Sequence, residues 1–434
     1  MMMSLIILFN ICVYGFGLVL CYYKGLRENL IFSFSWLMFS IYYFLTPWYF
    51  YSIGRRTIWG DDAGYQGVGE DIYDYYDEGL LYYGIANLLF LIGFYFISRY
   101  KPNFKIKEFI DNKSLIVVIY FICLGLVLIN FSLTGFSIID IIRGNSDETL
   151  FGATGASNYL KNFADSMITC LILCYVIKVD KRILVGIYLI SFVLFALMGF
   201  RYRMIMTIFG VLLIVLFNYE LKIKNIIKPF IVAMGILYLI LFITVNRYPL
   251  IVGHFNEFVY NPIEFNAGNL LAEQTRGALD DINIIKYYET NDHPEYDYGV
   301  TFTYFIVRAI PRFILGDLKD KLYPPPAFPI IDKAYNLPPI WAATGEAPLH
   351  YAYFMIAGDI WFLFIGAFIV GLVLGMIQRR LVNGNRKHQV FSIILCLALF
   401  MWYTRGYFPQ FVDNLIFLFI PFFTYYGLVK SYEI

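Results

Sequence analysis

The sequence predicts an all-α polytopic membrane protein of about eleven transmembrane helices. Three observations predict it: the composition, the recurrence of apolar runs, and the alternation of charge between those runs. The chain is 60% hydrophobic and 20% aromatic but only 15% charged, against roughly a quarter charged in soluble domains. Its mean hydropathy is +0.64. The net charge of +1 indicates no nucleic-acid partner, because Lys and Arg are segregated by loop rather than gathered in one patch.

Apolar runs of about 20 residues, long enough to cross roughly 30 Å of hydrocarbon, recur along the chain. Spans are expected at Ser4 to Tyr23, Leu30 to Ile53, Leu80 to Ser98, Ser114 to Leu133, Tyr159 to Ile177, Ile183 to Gly199, Met204 to Tyr219, Pro229 to Val245, Leu349 to Ile377, Val390 to Tyr403 and Phe411 to Val429. Tyr159 to Ile177 carries Lys161 and Asp165 at its start, and Val390 to Tyr403 is short. The first run has no basic flank and no small-residue cleavage site, so it reads as a retained span rather than a signal peptide.

Charge then orients the spans. Lys24 to Glu28, Arg99 to Lys113, Lys178 to Arg182, Glu220 to Lys228 and Gln378 to His388 are net basic, whereas Gly54 to Glu78 sets Asp61, Asp62, Glu70, Asp71, Asp74, Asp77 and Glu78 against Arg55 and Arg56. Basic loops belong in the cytoplasm, which puts the N-terminus outside and the C-terminus inside. Residues 1–434 then form a single integral membrane domain, with one large outer loop, 248–350, before the last three spans. A connection of that length exceeds what packed helices need and is where function is expected. Pro324-Pro325-Pro326 and Pro338-Pro339 stiffen it.

Arginines on the outer side run against the basic-side rule and are the informative cations. Arg201 and Arg203 lie between two expected spans, Arg247 and Arg405 end others, and Arg276, Arg308 and Arg312 lie in the large loop. Arg308 and Arg312 are four apart, sharing a helical face if Pro311 only kinks the helix. A guanidinium stays charged and grips phosphate oxygens bidentately, so these are candidate ligands for an anionic lipid-linked substrate. The competing reading is that they snorkel to headgroups or pair with carboxylates. Arg201 and Arg203 have no acidic neighbour in sequence, which favours function, although in a regular helix they would face different ways.

Glu346 and His350, four apart beside the arginine region, are the general-base candidates. The alternative for Glu346 is a carboxylate that stabilises the start of the next helix. Asp359, inside the expected span, must be paired or face a watery cavity. Asp61-Asp62 and Tyr73-Asp74-Tyr75-Tyr76-Asp77 read better as a solvated acidic loop than as a cation or sugar site. Gly358, Gly366, Gly371 and Gly375 fit close helix approach better than ligand binding. Cys12, Cys21, Cys123, Cys170, Cys174 and Cys396 all fall in apolar segments without metal-like spacing, so they read as packing residues, with no metal site and no cofactor expected.

The chain resembles the bacterial O-antigen polymerases, the Wzy-type oligosaccharide repeat unit polymerases. The resemblance rests on the large outer loop before the last spans and on three stretches: Gly199-Phe200-Arg201, Ile310-Pro311-Arg312-Phe313, and Thr344-Gly345-Glu346 followed by a glycine-spaced helix from Gly358 to Gly375. Where the family has an Asn-Phe-Gly-like turn before that helix, this chain has Tyr353-Phe354-Met355-Ile356-Ala357-Gly358. The resemblance implies a multi-pass protein of the bacterial cytoplasmic membrane that polymerises polyprenyl-diphosphate-linked oligosaccharides, as donor and acceptor, into a surface polysaccharide such as lipopolysaccharide O-antigen. It also implies arginines that stabilise the departing diphosphate without a metal, Glu346 or His350 as base, membrane lipids as surroundings, and a chain-length regulator as partner. An O-antigen ligase would share this architecture. A lipid-linked oligosaccharide flippase would need polar residues deep in several spans, and a metal-dependent glycosyltransferase would use Asp61-Asp62.

Overall fold

The structure is a computed structural model and describes residues 2–24, 29–58, 71–96, 107–134, 160–198, 201–218, 254–261, 275–310, 316–322, 325–336, 348–381 and 386–433, with single positions such as Leu241, Asn246, Glu273 and Ile314. In chain order the helices are α1 (Met2–Lys24), α2 (Leu30–Ser52), α3 (Tyr73–Phe96), α4 (Lys113–Leu133), α5 (Phe163–Val176), α6 (Lys181–Leu197), α7 (Arg201–Asn218), α8 (Gly277–Thr290), α9 (Val300–Ala309), α10 (Asp317–Leu322), α11 (Ala327–Ala334), α12 (His350–Leu381), α13 (Arg386–Arg405) and α14 (Phe408–Leu428). Seven of those described, α1 to α4 and α12 to α14, are long and apolar enough to cross a membrane. The shorter α5, α6 and α7, of 14, 17 and 18 residues, stand where further spans are expected, and Pro229 to Val245 lies largely outside the described residues. One short antiparallel ribbon, β1 (Lys107–Phe109) with β2 (Ser431–Glu433), accompanies the helices.

Two compact units emerge: residues 1–104, 272–384 and 398–413 in the first, and 105–271, 385–397 and 414–434 in the second. The first is built on α3 and α12. Their backbones touch, because a Cβ on Gly371 would sit 2.2 Å from the Phe90 carbonyl oxygen, one on Gly375 2.3 Å from that of Phe94, and one on Gly93 2.3 Å from that of Phe368. Hydrocarbon supplies no hydrophobic drive between helices, so close van der Waals approach must hold them together. The sequence-based reading of Gly371 and Gly375 as contact residues is borne out. Gly358 and Gly366 instead make room for the Phe362 and Phe354 rings.

α12 is broken near its start, where Gly358 (φ 170°, ψ 48°) and Asp359 (φ 69°, ψ −172°) leave helical geometry. Residues 360–381 still span about 33 Å at 1.5 Å per residue. Asp359 therefore stands at the break that heads the long apolar segment. A non-glycine residue in this region of backbone space costs on the order of 1–3 kcal/mol.

The 248–350 stretch, expected as one large outer loop, is substantially helical where it is described. α8 is buried from Ala278 to Ile285, and Ile282 packs against Gly79 of α3. Asp297 starts α9: its Oδ1 accepts from the Gly299 amide at 2.8 Å and its Oδ2 from the Thr301 amide at 3.2 Å, while its own N–H donates to Ile356 O at 3.0 Å. The carboxylate thereby satisfies orphan donors of the first turn.

In the second unit, hydroxyls bind α5 to the chain of α14. Ser166 Oγ donates to Phe417 O at 2.6 Å and Thr169 Oγ1 to Leu418 O at 2.7 Å. The Lys387 ammonium lies 4.8 Å from the Phe109 ring and 5.3 Å from that of Tyr426, a cation–π seat beside the ribbon.

Two glycine substitutions should move stability in opposite directions. Gly371→Ala forces a methyl into the Phe90 backbone and should lower the detergent unfolding midpoint, at a cost of about 1–3 kcal/mol. A Cβ on Gly125 in α4 meets nothing within 4 Å, so Gly125→Ala should be neutral or stabilising by up to about 1 kcal/mol. Equal effects at the two sites would contradict the close contact.

Candidate functional site

The centre of the first unit is a polar and aromatic cluster where α2 meets the start of α12. Ile41–Leu45 of α2 form a π-helical turn, a widening that commonly re-aims side chains at functional sites. Within it Tyr43 is fully buried. Its hydroxyl shares a 2.9 Å hydrogen bond with His350 Nδ1 and accepts from the Tyr351 amide at 3.4 Å. Tyr351 in turn donates to Asn87 Oδ1 at 2.8 Å, and Asn87 Nδ2 donates to the Tyr14 hydroxyl at 2.6 Å.

This geometry corrects the expectation for His350. The imidazole is 1% exposed, and the rings of Tyr351, Tyr403, Trp402 and Phe39 pack around it at centroid distances of 4.4, 5.0, 5.1 and 5.6 Å. A substrate hydroxyl has no approach to it without opening that packing, so His350 is a core residue that anchors α12. Its Nε2 has no hydrogen-bond partner among the described residues.

Asp281 holds the same helix start from α8. Its Oδ1 accepts from the Leu349 amide at 2.6 Å, so a side chain from another helix fills a capping role. Burial pushes the Asp281 carboxyl well above the usual carboxylate range and neighbouring Asp280 adds to the rise, against the Leu349 and Ala352 amides, which favour the charged form. The next turn closes in from α13: a Cβ on Gly406 (φ 64°) would lie 2.1 Å from Pro348 O.

The arginines divide into two kinds. In the first unit, Arg55 and Arg276 share one carboxylate: Arg55 Nη1 lies 2.9 Å from Glu273 Oε1, and Arg276 Nη1 lies 3.8 Å from Glu273 Oε2. Arg55 also donates to Thr57 O and Ile58 O, each at 2.8 Å. Thr46 of α2 donates to Thr275 at 2.8 Å, tying this group to the turn after Tyr42, and Arg405 lies within electrostatic reach of Tyr42. Arg308 pairs with Asp413 and sits over the Tyr407 ring, 5.9 Å from its centroid. Arg405 is exposed at the end of α13, where a cation is favoured by the helix C-terminus. The Arg55–Glu273–Arg276 group carries two positive charges and one negative, a net-positive arrangement suited to an anion.

Arg203 belongs to the other kind. With Arg201 it opens α7 rather than forming a tight turn, and it lies in the second unit. Its Nε lies 2.6 Å from Asp165 Oδ1 of α5, with both side chains almost fully buried. The guanidinium also lies 4.9 Å from the centre of the Tyr202 ring. The acidic neighbour absent from the local sequence arrives from another helix, so Arg203 is a structural ion pair rather than a substrate ligand. The Arg201 side chain and residues Arg312, Glu346, Arg247, Asp61 and Asp62 lie outside the described residues.

No family model matches this chain, and no curated protein or solved structure was found similar to it.

Residues missed by sequence reasoning are the partners. Arg55 reads as a minor cation in an acidic loop, and nothing in the local sequence singles out Glu273, Asp413 or Tyr43. A glycine directly after Arg405, followed by Tyr407, is the one local signal that marks a tight turn.

Two measurements test these assignments. Because the folded state binds the Asp281 proton more tightly than the unfolded chain, Asp281 weakens the fold as pH rises above the ordinary carboxylate value of about 4. Asp281→Asn should therefore gain thermal stability over wild type progressively from about pH 4 to 7, whereas Asp281→Ala should lose about 1–3 kcal/mol through the stripped amides. For the ion pair, Asp165→Leu or Arg203→Met alone should cost about 3–5 kcal/mol, and the double variant should recover most of it. Failure of the double variant to recover would return Arg203 to the functional candidates.

Proposed function

We propose that this chain is a membrane glycosyltransferase of the oligosaccharide repeat unit polymerase type. It spans the bacterial cytoplasmic membrane about eleven times, with its N-terminus outside, its C-terminus inside and its reaction at the outer face. The observation that supports this reading is the pair of guanidiniums, Arg55 and Arg276, that share the single carboxylate of Glu273, with Arg308 beside Asp413 and the exposed Arg405 as further cations of the same unit.

The reaction transfers a glycan from its polyprenyl diphosphate carrier to a sugar hydroxyl of a second lipid-linked unit. The acceptor oxygen forms a bond to the anomeric carbon, the bond from that carbon to the diphosphate oxygen breaks, and the hydroxyl proton passes to a base. Charge grows on the departing diphosphate. Guanidiniums already fixed by carboxylates meet that charge without reorganising, which makes them electrophilic stabilisers. With His350 in the core, Glu346 is the remaining base candidate, four residues ahead of α12. A ligase differs only in its acceptor.

Expression in a polymerase-deficient host that carries the matching glycan genes should restore a surface glycan ladder. At equal membrane expression, Arg276→Ala and Arg405→Ala should each collapse that ladder toward one repeat unit, with turnover falling by about 10²–10³. Glu346→Gln should do the same. A wild-type chain that only transfers a finished glycan to the lipid A core identifies a ligase. One that only alters movement of lipid-linked units across the membrane identifies a transporter.

A further inference from the structure

The first unit carries a second surface of opposite chemistry, lined by tyrosines and carboxylates. Tyr288 and Tyr296 stack with centroids 5.1 Å apart and planes 11° apart. Tyr298, 79% exposed, continues this row 6.3 Å from Tyr296. Tyr82 meets Phe364 at 6.5 Å, and Phe364 meets the exposed Trp361 at 6.2 Å. The Tyr82 hydroxyl donates to Glu289 Oε1 at 2.8 Å. Asp359, at the strained break of α12, lies within electrostatic reach of Tyr82, Tyr288 and Tyr296, and Glu78 within reach of Tyr82. The cations beside it have carboxylates of their own: Lys333 pairs with Glu295 at 2.5 Å, and Lys286 acts on Asp71.

We propose that this tyrosine face is a glycan subsite that accepts neutral pyranoses and rejects acidic sugars, an inference that rests on the glycosyltransferase reading. A pyranose presents a flat C–H face and a rim of hydroxyl donors. Aromatic planes take the first, and ionised carboxylates, which only accept hydrogen bonds, take the second. A uronate or phosphate group meets like charge from Asp359 and Glu289 and is turned away. The same repulsion sorts the two ends of a lipid-linked donor, sending its diphosphate to the arginine surface and its sugars to the tyrosines.

The test uses the full chain in phosphatidylethanolamine–phosphatidylglycerol nanodiscs, titrated by saturation-transfer NMR. The probes are galactotetraose and mannotetraose, each set against its uronate counterpart, tetragalacturonate and tetramannuronate. At least one neutral tetraose should bind about tenfold tighter than its counterpart, and Tyr296→Ala should weaken it by about tenfold while Tyr296→Phe retains it. Asp359→Asn should bring the uronate within about threefold of the neutral sugar, a gain of binding that misfolding does not produce. No binding by either neutral tetraose, equal binding of neutral and acidic sugars, or indifference to Tyr296→Ala, as expected of rings that merely anchor at a membrane interface, overturns the proposal. A lost preference with the glycan ladder intact overturns this subsite alone. An intact preference in a chain that restores no ladder overturns the polymerase reading instead.

Discussion

Backbone contact between α3 and α12 sets the geometry on which the first unit depends. Gly93, Gly371 and Gly375 bring the two helices to a separation where carbonyl oxygens lie against bare Cα atoms. In a bilayer such contact is one of the few forces that can choose one helix pairing over another, since every apolar face is equally content in lipid. Once α12 is docked, its first turn is presented to α2 and α8. The buried cluster around His350 follows from that placement.

That cluster is expensive to assemble. It takes a carboxylate, an imidazole and several hydroxyls out of water, each of which is tolerable only when hydrogen-bonded. Asp281 meets the Leu349 amide, Tyr43 meets His350, and Tyr351 meets Asn87. The hydrogen bonds it does make favour one arrangement of the helices, because a slipped helix would strand every member at once. Here the network fixes the rotation of α12 and, through it, the position of the strained Asp359 break.

Charge is handled in two ways. Arg203 and Asp165 neutralise each other inside the second unit, where an unpaired guanidinium would be prohibitive. In the first unit, Arg55 and Arg276 share Glu273, so that group of three keeps a net positive charge, and Arg405 is exposed. A shared carboxylate positions two guanidiniums without cancelling them, which suits the binding of a dianion better than four one-to-one pairs would. The tyrosine and carboxylate face bears the opposite sign, so one unit offers distinct surroundings to a diphosphate and to neutral sugars.

Apolar run length and glycine spacing were legible in the sequence because they act locally. A run of about 20 apolar residues must be helical in lipid, whatever surrounds it, and glycines repeated along one helix mark a face of close approach. The chemistry of single residues was not legible in the same way. Arg203 meets Asp165 across 38 positions, Arg308 meets Asp413 across 105, and Arg55 meets Glu273 across 218. His350 looks alike in sequence whether it faces solvent or four aromatic rings. The sequence alone determined that this chain is a helical membrane-type protein with arginines to place. Only the tertiary structure decided which carboxylate each arginine meets and how deeply the pair is buried, because pairing and burial depend on the path of the whole chain.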